Sequence, residues 1–245
     1  MTGTLLNIAA VAAGTALGLL LGNRLPERLR RTVLDGLGLG TVGYAVLSLV
    51  DALQGQANVP VKFIVILFSL LIGGLIGEVT DLDGALARAG AWLERRFARN
   101  TSAEGTARFI RGFVAASLVF CVGPMTILGS IRDGLFGDYS LLAIKSTLDG
   151  FAALAFAASL GLGVGFSILT ILLVQGGLTL FAGAAQGALT PPTIAALSAT
   201  GALMILGIGL TLLEVKPMRL ANFLPALVIS PLAAALLGRF GVAGF

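Results

Sequence analysis

Two pairs of opposite charge sit four residues apart in apolar surroundings: Arg31 with Asp35, and Lys145 with Asp149. Residues at that spacing share one face of a helix. Each helix therefore presents a cation and a carboxylate together. Counted from Pro26 and Ser140 as helix starts, each Asp lies on the order of 13 Å inside at 1.5 Å per residue. A charge at the bilayer centre costs about 2.5–3.5 kcal/mol on insertion scales. Both pairs are thus expected to face the bundle interior, with Asp35 and Asp149 meeting near its middle. Two roles remain open at this point. The pairs are salt bridges that fix helix register, or they form a substrate or coupling-ion site. The sign of the bound species is open too, because the carboxylates suit a cation or proton while Arg31 and Lys145 suit an anion.

Further polar groups lie in apolar stretches: Asn7, Thr126, Ser130, Gln175 and Asn222. Gly123-Pro124 interrupts one such stretch. A proline cannot donate to the carbonyl four residues earlier, here Phe120, and clashes with it. A carbonyl freed inside a bundle must find another partner or an ion. The candidate substrate or ion site is therefore Asp35, Asp149, Arg31, Lys145, Phe120, Gly123, Pro124, Asn7, Gln175 and Asn222. A plain proline kink is the simpler account of Pro124.

Other chemistries are excluded by what the chain lacks. It has no His, so it builds no Ser-His-Asp triad, imidazole relay or His-ligated metal. It has one cysteine, Cys121, which excludes an internal disulfide and a Cys-cluster zinc site. No enzyme activity, cofactor or metal is expected.

The elements that position these residues are membrane helices. Hydrophobic residues make up 57% of the 245 and charged residues 11%, and mean hydropathy is +0.99. A soluble domain averages about 25% charged residues, so this chain cannot cover a globular surface. It reads as one all-α polytopic membrane domain over 1–245. Eight apolar segments are long enough for a hydrocarbon core of about 30 Å: roughly 3–22, 26–53, 60–79, 108–131, 140–162, 166–186, 192–214 and 219–241. Between the fifth and sixth the only break is Gly161, Gly163 and Gly165.

The charges give an orientation. Alternate connections hold Arg24, Arg28, Arg30, Arg31, Arg88, Arg95, Arg96, Arg99, Arg108, Arg111, Lys216 and Arg219. The opposite side holds only Lys62, Arg132, Lys145 and Arg239. The rich side is expected in the cytoplasm, with both termini external. The net charge of +4 thus serves orientation, and no nucleic-acid partner is expected. Residues 81–99 are not a span. Thr80 with Asp83 forms a capping signature, and Leu82, Leu86, Leu93 and Phe97 recur at helical spacing among arginines. That predicts an amphipathic cytoplasmic surface helix with Trp92 at headgroup level. Asp133, Asp138 and Arg132 read as solvated loop residues.

Glycine occurs 34 times. Gly14, Gly18 and Gly22, and again Gly73 and Gly77, are spaced for close helix packing in lipid. The packing is expected within the chain or across a homodimer. The chain also resembles itself. Arg31-Thr-Val-Leu-Asp-Gly36 matches Lys145-Ser-Thr-Leu-Asp-Gly150, and Phe63 with Gly73-Gly74-Leu75 matches Phe166 with Gly176-Gly177-Leu178. Repeat one is placed at about 1–79 and repeat two at about 108–186, inverted in the membrane. A C-terminal helix pair follows at 192–241. Gly123–Gly129 resembles Gly201–Gly207, so that pair reads as a partial third copy.

Gly3–Asn7, the block Phe120–Gly150 and the stretch Asn222–Val228 resemble a family of bacterial inner-membrane proteins, the domain of unknown function 554 family. The resemblance covers essentially the whole chain. It implies a multi-span inner-membrane protein, often taken for a transporter, and carries no residue roles. Inverted repeats are common in secondary transporters, whose sites sit near the midplane at broken helices. The expectation is a secondary transporter of a small ion or small polar solute. The alternatives are an ion channel or a non-transporting scaffold.

Overall fold

A computed structural model describes residues 1–22, 26–54, 58–98, 102–121, 124–183 and 190–240. Gly123 lies outside them. The described residues are helical, without a strand. In order they form α1 (Thr2–Gly22), α2 (Glu27–Leu53), α3 (Val59–Thr80) and α4 (Leu82–Leu93), which runs into a π turn at Glu94–Ala98. Then come α5 (Ala103–Cys121), α6 (Pro124–Phe136), α7 (Ser140–Leu160), a 3-10 turn at Leu162–Phe166, and α8 (Ser167–Ile171). A second π turn, Leu172–Gly176, leads to α9 (Gly177–Leu180). The chain ends with α10 (Pro191–Leu212), a 3-10 turn at Leu220–Phe223 and α11 (Ala226–Arg239). Among the described residues seven segments are long and apolar enough to cross a membrane, and the α5–α6 pair makes an eighth if counted as one span bent by 60°. Pro124 opens α6 instead of kinking a continuous helix, at the position where a missing N–H is harmless. Gly161, at φ 82°, ends α7 and separates the fifth span from the sixth.

The chain divides into two compact units. The first comprises 1–37 and 85–185. Its axis is the pairing of α1 with α7. A Cβ on Gly14, Gly18 or Gly22 would come within 2.1, 2.3 and 2.4 Å of the carbonyl oxygens of Gly150, Leu154 and Ala158. Three glycines four apart thus lie on three carbonyls four apart, so backbone meets backbone along the whole contact. The order of the contacts makes α1 and α7 parallel. This stripe closes within the chain. α4 docks through Leu93 onto Phe109 and Phe113, while Trp92 and Phe97 stay exposed. Thr80 does not cap α4 as its sequence suggested. Its hydroxyl donates back to the Ile76 carbonyl at 2.8 Å.

Asp133 corrects another reading. It is buried, and it accepts from the Gly3 N–H and from the Met1 amino group, each at 3.0 Å. The first turn of a helix has N–H groups without intrahelical partners, and a carboxylate there also meets the positive end of the helix dipole. Arg132 and Asp138 are solvent-facing, as expected, and pair at 2.9 Å. The Ser140 hydroxyl and N–H, helped by Arg132, hold the Asp138 carboxyl below the usual range. Asp133→Ala should cost about 1–3 kcal/mol, because the Gly3 N–H stays buried and unpaired. A thermal melt in detergent would read this, and an unchanged midpoint would contradict it.

The second unit comprises 38–84 and 186–245. α10 is its most buried span. Gly38 of α2 lies against Leu213, and Gly209 of α10 against Val42. Gly73 and Gly77 of α3 meet the backbone of Ala226 and Asn222, with an added Cβ 2.5 and 1.9 Å from the nearest atom. By contrast a Cβ added at Gly40 or Gly43 of α2, or at Gly36 in the part of that helix belonging to the first unit, would meet nothing within 4 Å among the described residues.

Candidate functional site

Within the first unit, three helices bring buried polar side chains to one place. α1 supplies Thr4 and Asn7, α7 supplies Lys145 and Asp149, and the π turn before α9 supplies Gln175, with Thr179 one turn on. Each reaches this place for a local reason. Thr4, Asn7 and Val11 lie on the α1 face whose neighbouring glycines press on α7. Lys145 and Asp149 recur with Leu142, Phe156 and Leu160 on one buried face of α7. At Gln175 the helix widens to π geometry, a local irregularity frequent at functional sites.

The contacts form a continuous chain. Lys145 Nζ donates to Asp149 Oδ2. Asn7 Nδ2 donates to the same carboxylate oxygen at 2.9 Å and to Gln175 Oε1 at 2.9 Å. Gln175 Nε2 reaches Thr4 Oγ1 at 3.4 Å. Thr4 and Thr179 hydroxyls lie 3.4 Å apart, and Thr179 donates to the Gln175 carbonyl at 2.9 Å. The Thr179 hydrogen is thus committed, which makes Thr4 the donor of that pair. The Asn7 amide orientation is fixed by its neighbours, since flipping it would set oxygen against two acceptor oxygens. In this orientation Asn7 Oδ1 is buried with no hydrogen-bond partner among the described residues. Asn7 and Gln175 are both fully buried, and Asp149 is 7% exposed. An unpartnered buried acceptor among satisfied ones calls for an explanation.

The α5–α6 break borders this network. Cys121, the last residue of α5, is buried and interacts electrostatically with both Lys145 and Asp149. The Phe120 carbonyl accepts from the Thr126 hydroxyl at 3.1 Å, so α6 supplies the missing partner. Ser130 donates to Thr126 O at 2.5 Å. The Phe120 ring packs 6.3 Å from Phe156.

Several sequence expectations fall elsewhere. Asp35 and Arg31 are exposed and do not join Asp149. α2 begins at Glu27, but its apolar window opens only at Leu34. Both side chains therefore sit at the end of the span, where a charge is inexpensive. Asn222 belongs to the second unit. Its Nδ2 donates to Glu78 Oε2 at 2.6 Å, and its Oδ1 accepts from the Asp83 N–H at 2.7 Å. Arg219 completes that cluster, 2.5 Å from Glu78. Gly123 is outside the described residues, and Pro124 contributes only the start of α6. Thr4 and Thr179 were missed by sequence reasoning. So was Lys62, buried in the second unit beside Leu53, Ile66 and Pro192.

The family model described as "Protein of unknown function (DUF554)" matches residues 2–235. The chain is 35% identical over 234 residues to "Uncharacterized protein YqgA" of Escherichia coli (strain K12), covering 95% of this chain and 96% of that protein. It is 28% identical over 242 residues to "Uncharacterized membrane protein YdfK" of Bacillus subtilis (strain 168), covering 99% of each. No solved structure matches.

Proposed function

The chain belongs to the membrane-protein family described as protein of unknown function (DUF554), and from that premise we propose that it is a secondary transporter of a small ion or small polar solute. The observation that carries this reading is the Lys145–Asp149 pair, buried in a span, with Asn7 of α1 donating both to the Asp149 carboxylate and to Gln175 of a third helix. Ionisable residues at such depth are functional candidates by default. A pair kept only for register needs no amide bridge from α1, no π turn at Gln175 and no unpartnered acceptor. The site also lies beside a broken span, as transporter sites commonly do.

The same reading takes spans 1–3 and 4–6 as an inverted repeat, which the parallel run of α1 and α7 supports. It sets the protein in the bacterial inner membrane with the arginine-rich segments cytoplasmic. Should two copies associate, Gly36, Gly40 and Gly43 form the open stripe available to them.

Alternating exposure of the site tests the proposal without knowledge of the substrate. In a Cys121→Ser background, Thr4→Cys should react with a membrane-impermeant maleimide both in right-side-out and in inside-out vesicles. Reaction from neither side, with full labelling after denaturation, would favour the scaffold.

A further inference from the structure

Resting on the transport reading above, we infer that the Asp149 site takes a small primary ammonium ion, ammonium itself or a short alkylammonium, in exchange for a proton of Lys145. The carboxylate already holds such a group: Lys145 Nζ is an alkylammonium tethered to the wall. Both donors to Asp149 Oδ2 are N–H groups, from Lys145 and Asn7. The acceptors nearby are Gln175 Oε1, Thr4 Oγ1 and the unpartnered, fully buried Asn7 Oδ1. An ammonium ion brings several N–H donors on one centre, so it can bond the carboxylate and supply the donor that Asn7 Oδ1 lacks.

Other ligands fit less well. A hard divalent metal such as Ca2+ takes about six to eight oxygens, and the described residues hold no acidic, His or Cys group of that kind. An anion would meet the Asp149 carboxylate, and both hydrogens of Asn7 Nδ2 are already committed.

Charge balance gives the proton its place. With Lys145 protonated and Asp149 ionised the site is neutral. Adding a monovalent cation alone would leave one uncompensated charge in an apolar interior, and an unpaired buried charge is strongly destabilising. If Lys145 releases its proton to water as the cation binds, the site is neutral again. The step is R–NH3+ and Lys–NH3+ going to bound R–NH3+, Lys–NH2 and H+. A divalent cation would still leave an excess charge. Besides Asp149, Cys121 of α5 is the titratable group that senses Lys145.

The test uses the purified full-length protein in detergent, with methylammonium chloride as the probe. Tetramethylammonium, sodium and potassium chloride are compared at equal ionic strength. Methylammonium should raise the melting temperature and acidify a weakly buffered sample. Its half-saturating concentration should fall about tenfold for each pH unit raised, because a proton leaves for each cation bound. Tetramethylammonium has no N–H and should do nothing. An equal response to sodium or potassium would replace the ammonium site by an alkali-cation site, and no response to any cation would also overturn the inference. The double variant Lys145→Met/Asp149→Leu keeps the interior neutral and should be silent. A response retained there would put binding elsewhere. Two-sided labelling of Thr4→Cys without a methylammonium response would leave transport standing and remove the amine. Labelling from neither side would remove both.

Discussion

Gly18→Leu should unfold the first unit or prevent its assembly. A Cβ at Gly18 falls 2.3 Å from the Leu154 carbonyl oxygen, 2.9 Å from Ala157 Cβ and 3.0 Å from the Ala158 nitrogen. Two of these are backbone atoms of a parallel helix that touches α1 along its length. No rotamer change relieves the clash, so α1 and α7 must separate. Overpacking typically costs about 1–3 kcal/mol where side chains can adjust. Here they cannot, and the loss should exceed that range. Gly40→Leu is the matched control, since nothing lies within 4 Å of that position. Its effect on fold should stay within about 0.5 kcal/mol, as for surface substitutions. Thermal melts of both variants in detergent check the contrast. A Gly18→Leu protein as stable as wild type would contradict the α1–α7 contact.

The second large effect concerns the charge pair. Asp149→Leu leaves Lys145 buried without its partner, and Lys145→Met leaves Asp149 so. Breaking a buried pair from one side costs about 3–5 kcal/mol. The double variant removes both charges and should regain most of that stability. Replacing a buried pair by apolar groups is often neutral or stabilising by about 1–4 kcal/mol. The coupling follows from a double-mutant cycle. Melting temperatures of the four proteins give stability, and two-sided Thr4→Cys labelling in each reports movement. A double variant that melts like wild type, yet is no longer labelled from both sides, separates function from architecture. Additive losses would mean that Lys145 and Asp149 do not sense one another.

Arg31-Asp35 and Lys145-Asp149 carry the same spacing and much the same surrounding residues, yet one pair is exposed and the other buried. Spacing reports which residues share a helix face. It does not report how much helix precedes the apolar window, and α2 runs for about two turns before that window opens at Leu34. Lys145, Asp149, Asn7 and Gln175 were legible because each is a polar group where polarity is costly. That penalty acts whatever the partner. Asn222 met the same criterion but pairs with Glu78, 144 positions away in the chain, and such a choice of partner is set by tertiary packing. Asp133 was hidden for a related reason. Its use depends on α1 bringing a bare helix N-terminus to it, which local sequence does not describe. Thr4 and Thr179 passed unnoticed because threonines in apolar helices commonly bond their own backbone, as Thr179 does to the Gln175 carbonyl. The number and type of spans were accessible from hydropathy. The Gly161 break was accessible from glycine spacing, because few other residues adopt a φ of 82°.

The glycine-to-carbonyl contact between α1 and α7 also divides the first unit into what can shift and what cannot. Three close backbone approaches in a row leave no room for sliding, because each glycine sits between successive turns of the other helix. Asn7 and Asp149 therefore travel together as one strut. On the transport reading, a passage to their shared contact opens on the remaining sides, where the helices are interrupted. One is α6, joined to α5 at a 60° bend. The other is the α8–α9 segment, whose Gln175 meets α1 through side-chain hydrogen bonds to Asn7 and Thr4. A rotation of either would uncouple Gln175 or the Cys121 end of α5 while leaving the Asn7–Asp149 bond whole. On that reading the strut is the frame of a door, and the two interrupted helices are its leaves.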